Sequence, residues 1–245
     1  MIDERVCATA RGGILYDASR VVKPHDDLFE REHWAAQGAL EEVRGGRGSV
    51  VILRSGADRW VLRHYRRGGW AANVSRDRYV WTGAQRTRSF AEWRLLAELH
   101  RSGLPVPAPI AARYQRRGLT YSGDLITELL PGVHTLAAAI RMGPIGEHVW
   151  REVGAAIAKF HRKGVQHVDL NAHNVLVRAD ERAAAPVYLI DFDRGRLRAR
   201  GAWERRVLDR LRRSLDKVKR QAPESAFTDG DWRVLAAGYD SQLKA

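Results

Sequence analysis

The sequence predicts an α+β protein of two lobes, with a β-rich first half and a helical second half. Three observations carry this expectation. Short apolar segments bounded by Gly-containing turns occupy residues 40–66 and 110–128, with one amphipathic helix between them. Pro131-Gly132 then breaks the chain. Beyond that break, apolar residues recur mainly at helical spacing.

The elements follow in order. Residues 1–35 read as irregular and polar, with a short helix near Asp26–Gln37. Leu40–Val43 and Ser49–Leu53 read as strands joined by Arg44-Gly45-Gly46-Arg47-Gly48. Trp60–Arg66 is a third strand with Val61, Leu62 and Tyr65 as its apolar members. In Ser89–His100, Phe90, Trp93, Leu96 and Leu99, with Ala97, fall on one helical face. Ser89 suits the N-cap and Glu92 its capping-box partner, while Gly103 and Pro105 end the helix. Leu104–Ala108 is a Pro-rich turn, and Ile110–Tyr114 and Tyr121–Glu128 are strands. The lobe boundary lies just before Pro131, giving a first lobe of about 1–128 and a second of about 129–245 in one domain. Helices are then expected at Thr135–Met142 and Gly146–Lys163, the latter burying Val149, Val153, Ala156, Ile157 and Phe160. Two short apolar strands, Val175–Val177 and Val187–Ile190, precede helices near Ala202–Arg220 and Asp231–Leu243.

Composition narrows the function. A chain of 245 residues with 44% hydrophobic content supports a sizeable core and excludes wholesale disorder. The formal charge of +13 suggests an anionic partner (nucleotide, nucleic acid or acidic membrane), or Arg used as the ordinary solubilising residue. Cys7 stands alone, which excludes an intrachain disulfide and a Cys-based zinc cluster. The N-terminal MIDERVCATARGG lacks the apolar region of a secretory signal, and no stretch approaches the ~20 apolar residues that span a bilayer. The expectation is a soluble or peripheral protein of the cytoplasm.

The chemistry concentrates in HVDLNAHNVLV, residues 167–177. Asp169 and Asn174 stand five residues apart, and Asp191-Phe192-Asp193 follows the apolar run Val187-Tyr188-Leu189-Ile190. Two short strands paired as a hairpin bring Asn174 and Asp191 to the same end, where their oxygens suit a hard divalent cation such as Mg2+. Asp169 is left to accept a proton. The pattern resembles the kinase motif H-x-D-L-x-x-x-N followed by D-F-x. Asp193 departs from the usual Gly, and His167 reads as a structural hydrogen-bonding residue rather than a base.

The kinase pattern implies further parts in the first lobe. Gly46-Arg47-Gly48 lies where a phosphate lid belongs, although Val51 replaces the third Gly, so an ordinary turn is equally consistent. Arg63 stands where a Lys usually grips the nucleotide phosphates. Its orienting partner is Glu92, with Glu98 as second choice, and Glu128 lies where backbone groups would meet adenine.

Only 54 residues follow Asp191, with no long activation segment to cradle a peptide, which favours a small or lipid-linked acceptor. VLRHYRRGGW (61–70), RTRSFAEWRLLAELHRSGLPVPAPIAARYQRRG (86–118) and LIDFDRGRLR (189–198) resemble the 3-deoxy-D-manno-octulosonic acid (Kdo) kinases, lipopolysaccharide-core kinases of bilobal protein-kinase-like fold. The resemblance implies transfer of the ATP γ-phosphate to the 4-hydroxyl of Kdo on a lipid A precursor, with Mg2+, at the cytoplasmic face of the inner membrane. It makes Arg63 a family trait. It also implies an anionic membrane surface as partner and no nucleic acid. Between Arg59 and Arg88 there are eight Arg against one acid, Asp77, and Arg66 and Arg67 suit an acceptor carboxylate or phosphate. The 202–220 helix sets Trp203, Val207, Leu208, Leu211, Leu215 and Val218 against Arg205, Arg206, Arg212, Arg213, Lys217 and Arg220. Such a helix either lies on an acidic membrane or packs on its own domain. The competing readings are a heptose, aminoglycoside or protein kinase, and a nucleotide- or nucleic-acid-binding pseudokinase. The oligomeric state is left open.

Overall fold

A computed structural model describes residues 1–42, 50–66, 77–178, 186–222 and 227–244. Gly46 and Gly48, together with Arg67, lie outside the described residues. The chain divides into two compact units: Met1–Arg101 with Pro107–Leu129, and Ser102–Val106 with Leu130–Ala245.

The first unit is built on an antiparallel sheet. Its strands are β1 (Glu4–Thr9), β2 (Gly12–Asp17), β3 (Leu40–Glu42), β4 (Val50–Ser55), β5 (Asp58–His64), β6 (Tyr79–Val80), β7 (Pro109–Arg117) and β8 (Thr120–Glu128). They run in the order β1-β2-β7-β8-β5-β4-β3, with β6 also pairing β8. Two of these strands correct the expectation that residues 1–35 are irregular. β1 lies at the sheet edge with Val6 exposed, so its sequence carries no buried alternation to reveal it. Gly12 in β2 is required by packing, since a Cβ there would stand 2.0 Å from the Tyr114 carbonyl oxygen.

Each face of this sheet is covered. The helix α2 (Arg88–Arg101) buries Phe90, Trp93, Leu96, Ala97 and Leu99, the face expected from its spacing. Gly123 of β8 admits this helix, because a Cβ there would already touch Ser89 Oγ at 3.0 Å. A 3-10 turn (Asp26–Phe29) and the short helix α1 (Arg31–Ala36) replace the single helix expected over 26–37. Leu28, Phe29 and Trp34 pack there with Val51, Leu53, Trp60 and Leu62 in one cluster. Buried Arg113 fastens this segment, donating to Glu30 Oε1 at 2.6 Å and to Asp124 Oδ2 at 3.0 Å. His64 Nδ1 lies 2.7 Å from the other oxygen of Asp124.

The second unit carries β9 (Val133–Thr135), α3 (Leu136–Met142), α4 (Glu147–Arg162), β10 (Val165–Gln166), β11 (Val175–Arg178), β12 (Tyr188–Leu189), β13 (Arg196–Leu197), α5 (Trp203–Gln221) and α6 (Asp229–Lys244). Strands β12, β11 and β9 form one small antiparallel sheet, and β10 pairs β13. Thr135 caps α3 by accepting the Ala138 N–H at 3.1 Å. Helices α4 and α6 cross at backbone distance. A Cβ on Gly154 would meet the Leu235 carbonyl oxygen at 2.0 Å, and one on Gly238 the Arg151 carbonyl oxygen at 2.3 Å. The stripe Trp203, Val207, Leu211, Leu215 and Val218 of α5 is buried, so its apolar side is taken by packing. On its polar side Arg205 pairs with Asp209 and Arg212 with Asp216, each one turn along.

Candidate active site

The second unit assembles the motif residues from short elements. After α4, Gly164 turns the chain with φ of 72°, a conformation open to Gly, and a side chain there would strike the Arg198 carbonyl. Strand β10 leads into the loop 167–174, and β11 leaves it. Leu170 and Ala172 are fully buried and anchor the loop from below. Ala172 also accepts the Ala137 N–H at 2.9 Å and donates its own N–H to Ser214 Oγ at 3.0 Å. The Asp169 carbonyl accepts two amide donors, Asn171 Nδ2 at 2.8 Å and Asn174 Nδ2 at 3.0 Å. That fixes the backbone of Asp169 while its carboxylate stays half-exposed.

Asn174 and Asp191 are brought together as the hairpin argument expects. Val175 pairs with Leu189, Leu176 with Tyr188, and the Ile190 N–H donates to the Asn174 carbonyl at 3.1 Å. Both residues therefore sit at one end of the β11–β12 pair. Since Asn174 spends its Nδ2 on Asp169, its Oδ1 is the atom left to act as a ligand. Asp191 adopts φ of 64°, an uncommon backbone state for a non-Gly residue that clusters at functional sites. Position 193 does not share it. The left-handed non-Gly residues here are Asp191 and Arg194, so Asp193 in place of the usual Gly is free of that penalty.

An Asn oxygen and one carboxylate fit Mg2+, which keeps water and substrate phosphates as its remaining ligands. Among the described residues no group of three or more His, Cys, Asp or Glu gathers as a metal cage, so any Mg2+ would rely on those outside ligands.

His167 is 2% exposed and its Nε2 donates to the Ile190 carbonyl at 2.9 Å. Burial pushes its pKa down. It is a brace between the loop and β12, as its sequence context suggests. Phe192 packs its ring between His167, centroids 4.7 Å apart, and Phe160, stacked at 5.7 Å.

In the first unit Arg63 of β5 and Glu92 of α2 form an ion pair at 2.6 Å. The Tyr65 hydroxyl donates to the same Glu92 oxygen at 2.6 Å. Two expectations are corrected here. Ser89 is no N-cap, because α2 begins at Arg88 and Ser89 Oγ donates across to the Arg113 carbonyl at 2.9 Å. Glu92 is accordingly not a capping-box partner but a buried carboxylate paired with a cation. Glu98 is exposed on the far side of the helix. Glu128 ends β8. Its N–H is committed to the Ala108 carbonyl at 2.9 Å, and its side chain lies 3.8 Å from Arg20, so that N–H is not open to a base.

One residue escaped the sequence reading. Arg210 of α5 donates Nε to Asp169 Oδ1 at 2.7 Å, with Nη2 on the same oxygen. Helical spacing places Arg210 one turn before Ser214, but nothing local in the sequence points 41 residues back to Asp169.

Comparison with known proteins identifies the family. The profile of the lipopolysaccharide kinase (Kdo/WaaP) family matches residues 31–239. A 3-deoxy-D-manno-octulosonic acid kinase of Stenotrophomonas maltophilia (strain R551-3) is 46% identical over 209 residues, 85% of this chain and 82% of the relative. Those of Xanthomonas campestris pv. campestris (strain B100) and Xylella fastidiosa (strain M12) are 44% and 43% identical over 94% of this chain and 90% of each relative. The solved structure of WaaP in complex with acyl carrier protein is similar in fold, with a TM-score of 0.53 at 20% identity over 89% of this chain and 87% of that one. A family match across most of the chain, with the Asp169, Asn174 and Asp191 set in its kinase-like context, places the chain in the lipopolysaccharide kinase (Kdo/WaaP) family.

Proposed function

We propose that this protein transfers the γ-phosphate of ATP to the 4-hydroxyl of Kdo on a lipid A precursor. The observation that supports it most is the placement of Asp169, a half-exposed carboxylate on a backbone held by two side-chain amides. The kinship to Kdo kinases names the acceptor over a heptose, an aminoglycoside or a peptide.

In this reading the acceptor hydroxyl attacks the γ-phosphorus while the bond to the bridging β-phosphate oxygen breaks, and Asp169 takes the hydroxyl proton. Asn174 Oδ1 and the Asp191 carboxylate would hold Mg2+, whose charge would offset that of the phosphates. Arg63, oriented by Glu92, holds nucleotide phosphate from the first unit. The adenine contact near Glu128 would fall to backbone groups other than its engaged N–H.

The acceptor's acyl chains demand work at a membrane surface, yet no helix among the described residues is long and apolar enough to cross one. The charge of +13 supports peripheral attachment to the anionic inner membrane from the cytoplasmic side, at about 1 kcal/mol per well-placed cation. The cationic face of α5 is the surface that would serve, while Arg66, exposed just past the end of β5, would face the acceptor.

The test is incubation with Mg·ATP and Kdo–lipid A precursor, followed by mass spectrometry. One added phosphate on Kdo is expected, and Asp169→Asn should cut turnover by roughly 10²–10⁴-fold with nucleotide binding retained. Absence of phosphorylated Kdo from the wild-type reaction, or a near-normal Asp169→Asn, would contradict the reading.

A further inference from the structure

We propose that Arg210 reads a carboxylate on the acceptor and, in doing so, releases Asp169 to take the hydroxyl proton. This rests on the kinase reading above and names the acceptor feature that the same site recognises.

The first ground is rigidity. Trp203, Val207, Leu211 and Leu215 bury α5, and Ser214 accepts the Ala172 N–H from the loop that carries Asp169. Arg210 thus projects from a helix fastened to that loop one turn away. The second is occupancy. Two nitrogens of Arg210 sit on Asp169 Oδ1, one of only two oxygens that could receive the proton. The third is access. The side chains of Arg210 and Asp169 are each 48% exposed, so an arriving acceptor can reach both. The fourth is reach. An acceptor hydroxyl within hydrogen-bonding distance of Asp169 lies within roughly 5–8 Å of the Arg210 guanidinium. Kdo carries its carboxylate on the ring carbon two places from the one bearing the 4-hydroxyl, which falls inside that radius.

The loop itself offers no alternative cation of this kind. Between Asp169 and Asn174 stand Leu170, Asn171, Ala172 and His173, without Lys or Arg. A guanidinium is suited to exchange one carboxylate for another, because its fork matches the group bidentately and its charge never titrates. When the acceptor carboxylate takes the fork, Asp169 Oδ1 is vacated at the moment a hydroxyl is delivered beside it. An acceptor lacking the carboxylate leaves Arg210 on Asp169.

The experiment compares two acceptors, Kdo–lipid A precursor and its carboxyl methyl ester, with wild-type protein and the variants Arg210→Ala, Arg210→Gln and Arg210→Lys. For wild type, esterification should lower kcat/KM by roughly 10–100-fold, the range expected when a charged hydrogen-bonding partner is lost. Arg210→Ala should be poor on the native acceptor, indifferent to esterification and unchanged in its KM for ATP. Arg210→Lys should recover part of the preference for the carboxylate. A merely structural role would lower both acceptors by one factor and keep the wild-type ratio between them, and that result overturns the proposal. If Arg210→Ala does not fold, the ratio in Arg210→Gln and Arg210→Lys decides the matter by the same criterion. Wild-type protein equally active on both acceptors overturns the carboxylate role alone. Wild-type protein inactive on both overturns the Kdo kinase reading, and this proposal with it.

Discussion

At the scale of single residues, Glu92 shows how one charge organises its surroundings. Its side chain is 1% exposed, and a carboxylate so buried requires partners. It has two on one oxygen, Arg63 and Tyr65, and the Arg63 guanidinium also lies over the Tyr65 ring at 4.6 Å. Removing the cation takes a charged partner from that buried carboxylate. Arg63→Ala should therefore lower stability by about 3 kcal/mol in urea unfolding, and raise the KM for ATP. Arg63→Lys should restore more of the stability than of the nucleotide affinity, since a point charge satisfies the carboxylate but lacks the fork. A variant as stable as wild type would count against the pair. This pairing was legible because the kinase-like order of motifs asks for it. The capping-box reading of the same Glu92 was local and lost to the tertiary contact. Arg210 was not legible, because its partner is set by how α5 packs and not by its neighbours in sequence.

At the scale of elements, the crossing of α4 and α6 depends on two missing methyl groups. Alanine normally improves a helix over glycine by about 1 kcal/mol. At Gly154 and Gly238 the added carbon would meet a carbonyl oxygen at 2.0 Å and 2.3 Å, so the helices must part. Gly154→Ala and Gly238→Ala should each destabilise by about 2–3 kcal/mol. Gly230→Ala, in the first turn of α6 and facing only Thr228 Oγ1 at 3.3 Å, should be neutral or slightly stabilising. Denaturant midpoints separate these cases, and equal effects at all three sites would refute the crossing. The helices themselves were readable from their spacing, as Val153, Ala156, Ile157 and Phe160 on α4 illustrate. Their close approach was not, since a glycine in a helix does not say what lies opposite. The β1–β2 hairpin was missed for a related reason: an edge strand with an exposed Val6 and a partner opening on two glycines shows no period.

At the scale of the whole molecule, the two units respond to acid with opposite sign. In the second unit His161 is 1% exposed with Nδ1 2.8 Å from the Tyr239 hydroxyl, and burial lowers its pKa to about 4. The unfolded chain binds this proton near pH 6.5 and the folded one only near 4, so stability is lost as pH falls through that window. The loss is on the order of 3 kcal/mol at full extent. His167, depressed by burial, acts in the same direction. In the first unit the hydrogen bond to Asp124 raises the pKa of His64. That stabilisation is complete below about 6.5 and lost as pH rises through the raised value. Hydrogen exchange at pH 5 and pH 7.5 should show the second unit weakened by acid and the first unit not. His161→Gln should flatten the acid response of the second unit, and an unchanged response would refute the assignment. The division into a sheet-rich and a helical unit was evident from period alone. The burial of His161 was not, because burial is a property of the packed chain.

The seating of Phe192 bears on regulation. Its ring is 1% exposed between Phe160 and His167, and His167 is itself tied to the Ile190 carbonyl. Turning the ring outward would expose it to water and leave a void, at a combined cost of about 3–5 kcal/mol. A state that unfavourable holds well under 1% of the molecules. The segment carrying Asp191 is thus held in one arrangement by its own packing and is not a toggle waiting for a signal.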